Sequence, residues 1–308
     1  MSEIPASSPL IPSETTSRLM RMATYASVTV ASILIVTKIG AWLLTDSVSL
    51  LSSLVDSILD VGASIVSLIA VRSALQPADR EHRFGHGKAE PLAGLAQAAF
   101  IAGSGVFLLF EALDRLIHPQ PVEHGLIGVG VMLFATVMTL LLVAFQFYVI
   151  RRTDSLAVKA DSLHYRADIL INGTVILSLL LSTYLGWSFA DPILAMVIVF
   201  YLAWGSTEIL KQSIDNLMDR EFPEGDRRRI REIALAHPEV IDVHDIRTRS
   251  AGPSSFIQMH LELARDLSLL KAHEISDAVM YEVEEAFPNT EVLIHQDPEG
   301  IEERRDDV

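Results

Sequence analysis

Residues 51–72 read LSSLVDSILDVGASIVSLIAVR, an apolar run long enough to cross the hydrocarbon core of a bilayer, yet it holds Asp56 and Asp60. A carboxylate near the middle of a membrane helix costs about 2.5–3.5 kcal/mol on insertion scales, so such residues face a bundle interior and mark a functional position. At spacing i, i+4 the two share one helix face. They require a partner, either a cation or a second polar helix.

The segment is one of six. Apolar stretches of spanning length occur at 22–44, 48–71, 91–113, 125–150, 163–186 and 190–210, each near the ~20 residues a membrane helix needs. With 50% hydrophobic residues and a mean hydropathy of +0.36, the chain is too apolar for an ordinary soluble domain. Six spans put both termini on one side of a bilayer. The basic residues of the connectors gather there (Arg72, Arg80, Arg83, Lys88, Arg151, Arg152, Lys159 and Lys211), against Arg115 alone on the other side, so both termini are expected in the cytoplasm.

Charge separates a second region from the first. Residues 211–308 carry 12 Lys and Arg against 23 Asp and Glu, whereas residues 1–210 carry 12 against 16. Such an acidic balance argues against a nucleic-acid partner and is compatible with handling cations. Within this region Glu224–Ala236 and Ser268–Phe287 read as helices. Val240–Arg249, Phe256–Leu263 and Glu291–Asp297 alternate as strands, giving the order αββαβ and a two-layer domain with helices on one face of a three-stranded sheet. The expected organisation is therefore a disordered tail at 1–15, a six-helix transmembrane domain at 16–210, a cytoplasmic α/β domain at 211–298, and a disordered acidic tail at 299–308.

The fifth span supplies the partner that Asp56 and Asp60 need. Its segment DSLHYRAD places His164 and Asp168 at i, i+4, the same spacing as the acids of the second span. Three carboxylates and one imidazole close a four-coordinate oxygen and nitrogen site suited to Zn²⁺, with Cd²⁺, Fe²⁺ or Mn²⁺ as alternatives. The chain has no Cys, which excludes thiolate sites and disulfides. Asp161, one turn earlier, reads as an entrance residue, and Arg166 should point away from the ligands. The loop after the second span offers Asp79, His82 and His86; the two imidazoles suit one helical turn, and Gly85 and Gly87 leave the backbone free to bend. In the tail, His260 lies on the open face of its strand, and His295 and Asp297 share one face of the last strand at i, i+2. His244 and His273 add further imidazoles, while His118, His124 and His237 fit no motif.

The motifs SLLSSLVDSILD and ADSLHYRADIL, the loop QPADREHRFGHGKAE and the tail segments VHDIRTR, FIQMHLEL and VLIHQDP resemble the bacterial zinc and ferrous-iron efflux branch of the cation diffusion facilitator family, over roughly residues 16–298. The resemblance implies a homodimer of six-helix subunits in the bacterial inner membrane, with a cytoplasmic domain of metallochaperone-like, ferredoxin-like fold. It implies export of divalent metal in exchange for protons through Asp56, Asp60, His164 and Asp168. It also implies a second, loop-borne metal site at Asp79, His82 and His86, and a cytoplasmic metal cluster among His244, His260, His273, His295 and Asp297 at the subunit contact. Lys88 and Asp219 match charges proposed in the family to pair across the dimer as a hinge. Family sites with one His and three Asp go with Zn²⁺ and Cd²⁺, and all-Asp sites with Mn²⁺, so His164 tilts the cargo toward zinc.

The residues themselves support proton coupling. An imidazole with a reference pKa near ~6.5 sheds a proton when metal arrives and regains it when metal leaves. A membrane metalloenzyme or a metal sensor using the same ligands are the rival readings, and both lack support. No HExxH or nucleophile motif is present, and residues 211–308 offer no output domain beyond the α/β fold.

Overall fold

The computed structural model describes residues 14–45, 48–117, 126–185 and 190–300. His118 and His124, and most of the tails expected at 1–15 and 299–308, lie outside them. Two compact units emerge. One gathers Thr15–Ser73 with Ala89–Ile214, and the other Ala74–Lys88 with Asp215–Val308.

The first unit is helical: α1 (Glu14–Thr45), α2 (Val48–Ala74), α3 (Ala89–Ile117), α4 (Leu126–Thr153), α5 (Leu156–Leu185) and α6 (Ala190–Leu217). Among the described residues five of these are long and apolar enough to cross a membrane. Large apolar side chains such as Leu44, Phe107, Phe200 and Trp204 are exposed, as a lipid-facing surface requires.

Helix α5 begins seven residues before the expected start of the fifth span at 163, so its first polar turns are helical. The reason lies at its N-terminus. The Ser155 side chain accepts from Val158 N–H at 3.3 Å, and Glu90 of α3, buried at 3% exposure, accepts from Ala157 N–H at 3.2 Å and from the Ser155 hydroxyl. These bonds satisfy amides that a helix start leaves without partners. Ala160, Leu163 and Ala167 of α5 then pack with Ala98 and Ile101 of α3 and with Ile198, Leu202 and Ile209 of α6. Gly205 permits the closest approach: a Cβ there would stand 2.7 Å from Leu163 Cδ2.

In the second unit the elements are α7 (Glu224–Ala236), β1 (Val240–Ala251), β2 (Ser254–Leu263), α8 (Leu269–Ala286) and β3 (Thr290–Pro298), the expected αββαβ order. The sheet order is β1-β2-β3, antiparallel in the first pair and parallel in the second, which the α8 crossover makes available. The alternation in β2 buries Ile257, Met259, Leu261 and Leu263 on one face, against Ile230 and Ala234 of α7 and Ile275, Val279 and Val283 of α8. Its other face carries Gln258, His260 and Glu262. Ser268 caps α8, its hydroxyl accepting from Lys271 N–H at 3.2 Å.

The segment Ala74–Lys88 seats on the β1–β2 hairpin. The Phe84 ring meets Phe256 edge-on at 5.5 Å, and the Arg249 guanidinium lies 4.7 Å from one ring centre and 4.8 Å from the other. Gly87 passes so close that a Cβ would stand 1.8 Å from the Ala251 carbonyl oxygen.

Candidate metal centres

Asp60 on α2 and His164 and Asp168 on α5 come together inside the helical unit, each offering a ligand atom within 4.8 Å of the others. His164 Nε2 lies 2.8 Å from Asp60 Oδ1 and 4.0 Å from Asp168 Oδ2, and His164 is 6% exposed. Asp56, one turn from Asp60, lines the same cavity of about 760 Å³ without joining the group of three. Lys38 of α1 also lines it, its ammonium donating to Ser57 Oγ at 2.6 Å and to the Ser53 carbonyl at 3.0 Å. That arrangement places an amine in the same cavity as three carboxyl groups. The Phe100 ring meets His164 edge-on at 5.6 Å and limits its tilt. Arg166 turns away from the site, 5.9 Å from the Phe147 ring on α4.

Asp161 differs from the sequence expectation of an entrance residue. It is 1% exposed and does not line the cavity. Its carboxylate accepts from Ser27 Oγ at 2.5 Å, Gln146 Nε2 at 2.7 Å and Ser64 Oγ at 3.4 Å. A signal was available in the polar Ser27 and Gln146, each within a stretch of spanning length.

In the loop, Asp79, His82 and His86 form a second group. His82 Nδ1 and His86 Nε2 each lie 3.4 Å from an Asp79 oxygen, and the rings are 4.5 Å apart. No helical turn brings them together, contrary to the spacing argument. Gly85 takes φ +77° and its N–H bonds the His82 carbonyl at 3.0 Å, so a tight turn folds His86 back. The backbone N–H of His82, followed by that of Glu81, donates to Asp79 and holds its carboxyl below the usual carboxylate range. His86 Nδ1 is buried with no hydrogen-bond partner.

The sheet register builds the third group. His244 faces His260 across β1 and β2, and His260 faces His295 across β2 and β3. Three imidazoles therefore stand in a row on the open face, at ring separations of 5.3 and 4.6 Å. Asp297, 5% exposed, meets all of them: His260 Nδ1 at 2.8 Å, His295 Nε2 at 3.1 Å and His244 Nε2 at 3.2 Å. His273 stands apart on α8, 3.5 Å from Asp277. Asp242 and Glu262 gather with His244 in a further group that the sequence reading did not single out. The signal was the period of two, because Asp242 precedes His244 and Glu262 follows His260 by two residues. Donor sets of imidazole and carboxylate suit a divalent cation such as Zn²⁺ at both the loop and the sheet, where His86 and His244 turn Nε2 toward Asp79 and Asp297.

Lys88 and Asp219 pair within one chain, Nζ to Oδ1 at 2.9 Å, and Lys88 also donates to the Leu217 carbonyl at 3.3 Å. Arg249 Nη1 reaches the other oxygen of Asp219 at 3.6 Å.

Residues 24–218 match the cation efflux transmembrane domain, and residues 222–299 match the cation efflux protein cytoplasmic domain. The chain is 46% identical over 281 residues to the cation-efflux pump FieF of Escherichia fergusonii, covering 91% of this chain and 93% of that protein. Against FieF of Salmonella typhimurium the identity is 44% over 285 residues, covering 92% and 95%. The metal-bound C-terminal domain of the CzcD transporter from Thermotoga maritima is 29% identical and covers 26% of this chain and 93% of its own, at a TM-score of 0.25. The chain belongs to the cation diffusion facilitator family of cation efflux proteins.

Proposed function

We propose that the protein exports Zn²⁺ from the cytoplasm in exchange for protons, with Cd²⁺ or Fe²⁺ as further cargo, through Asp56, Asp60, His164 and Asp168. The observation that carries this reading is the meeting of Asp60, His164 and Asp168 in one cavity of a helical membrane unit. Buried acids and an imidazole there have no use to stability that apolar packing would not serve better. Metal binding requires a deprotonated imidazole, and metal release allows it to take a proton back, so one site holds cargo and proton in alternation. Exposed by turns to either side of the bilayer, such a site is an antiporter.

The loop group and the His244, His260, His295 and Asp297 group would hold further zinc, delivering ions or shifting the population of conformers of a homodimer. The relatives carry the name of cation-efflux pumps, in keeping with a transporter rather than an enzyme. The test is flux in reconstituted vesicles containing a pH dye. Zinc movement should be accompanied by an opposite movement of protons, and both should stop in Asp60→Ala and His164→Ala. Zinc flux with no pH change eliminates antiport.

A further inference from the structure

Asp161 is the buried carboxylate for which metal transport has no direct use. All of its bonds run to neutral donors on other helices: Ser27 on α1, Ser64 on α2 and Gln146 on α4. Tyr165, one turn further along α5, closes the ring, its hydroxyl 2.8 Å from Ser64 Oγ and donating to the Ser27 carbonyl at 3.4 Å. Gln146 also donates to Ser27 Oγ at 3.0 Å. Every one of these groups is buried. Helix α5 is thus tied along the turns that carry Asp161 and Tyr165 by directional bonds to α1, α2 and α4; Glu90 of α3 holds only its first turn, and the rest of its contact with α3 and α6 is an apolar seam of Ala160, Leu163 and Ala167. Apolar contact is non-directional and leaves rotation weakly specified, whereas a hydrogen bond loses most of its strength within a fraction of an ångström or a few tens of degrees.

We infer that Asp161 is a positioning residue for the transport site: its carboxylate fixes the rotation and depth of α5 against three neighbouring helices, and so sets His164 and Asp168 opposite Asp60. The inference rests on the transport reading only for its consequence in flux. Asp161 is not itself a ligand, because it does not line the cavity and both its oxygens are taken. Partners that orient metal ligands are worth about tenfold to 100-fold in affinity or activity when removed, which is the effect expected here. The clasp also contains the means of its own rescue. Gln146 Oε1 is buried with no hydrogen-bond partner, so in Asp161→Asn the Gln146 amide can turn over and accept from the new side-chain N–H.

The test takes advantage of the absence of Cys. Spin labels at Val36→Cys on α1 and Leu170→Cys on α5, positions 70% and 40% exposed, report the α1–α5 distance by double electron–electron resonance without metal. The same Asp161 variants, without labels, are measured for the KM and kcat of zinc flux in vesicles. Asp161→Ala should shift or broaden the distance distribution and raise KM by about tenfold to 100-fold with a smaller change in kcat. Asp161→Asn should match the parent in both. If Asp161→Ala does not fold, Ser27→Ala and Gln146→Ala must show the same displacement and KM change in weaker form, or the inference falls. It also falls if Asp161→Ala leaves distance and KM unchanged, or if Asp161→Asn is as inactive as Asp161→Ala with the distance intact, since charge rather than placement would then be required. A failure of the transport reading is separable: His164→Ala would keep its flux while the metal-free distances still responded to Asp161.

Discussion

His164 Nε2 lies 2.8 Å from Asp60 Oδ1, a contact that joins the ligand-bearing faces of α5 and α2 inside the helical unit. Each helix alone carries polar groups that a bilayer penalises. Together they gather the imidazole and carboxylates through which we propose a divalent cation passes. Replacing the imidazole by a fourth carboxylate should therefore change selectivity before it changes fold. His164→Asp is expected to retain transport and to move preference from Zn²⁺ toward Mn²⁺, because carboxylate oxygens suit harder ions. Metal competition in vesicles checks this, and unchanged zinc preference defeats it.

Asp297 is 5% exposed and in reach of three imidazoles at 2.8–3.2 Å. Asp297→Ala removes the shared carboxylate and is expected to weaken zinc binding at the sheet by at least tenfold. Calorimetric titration of the full-length protein in a background lacking His164, His82 and His86 isolates that site. Equal affinity with and without the carboxylate would show that the row of histidines binds by itself.

The turn that Asp79 holds together should persist to low pH. Backbone amides hold the Asp79 carboxyl below its ordinary range, so its contribution to the turn is present above the unfolded value near ~3.9 and is lost only as pH falls through the lower folded value. Protection of the His82 and Glu81 amides from hydrogen exchange should therefore survive down to about pH 4 and be lost only below it. A midpoint above about pH 4 would contradict this.

Gly87→Ala places a methyl 1.8 Å from the Ala251 carbonyl oxygen, a distance that only backbone movement relieves. Overpacking of this kind costs about 1–3 kcal/mol. The expected result is a lower unfolding midpoint and faster hydrogen exchange across residues 82–88. Unchanged exchange there would mean that the segment does not rest on the hairpin.

The sequence by itself determined the six long helices, the αββαβ order of the second unit and the pairing of α2 with α5. All follow from signals that survive without coordinates: apolar length, period two, and polar residues repeated at i, i+4 where lipid forbids them. Asp60, His164 and Asp168 were legible for that reason. Only the tertiary structure decided what bonds cross between elements. The register of two strand pairs set His244, His260 and His295 in line, and no local pattern encodes register between distant strands. A turn at Gly85, not a helix, folds His86 back toward Asp79, because positive φ is a backbone property that spacing does not reveal. Asp161 looked like a residue on the path of the ion and proved to be tied to Ser27, Ser64 and Gln146, residues separated from it by up to 134 positions along the chain. Its role depends on which helices become neighbours, and that is settled when the bundle packs.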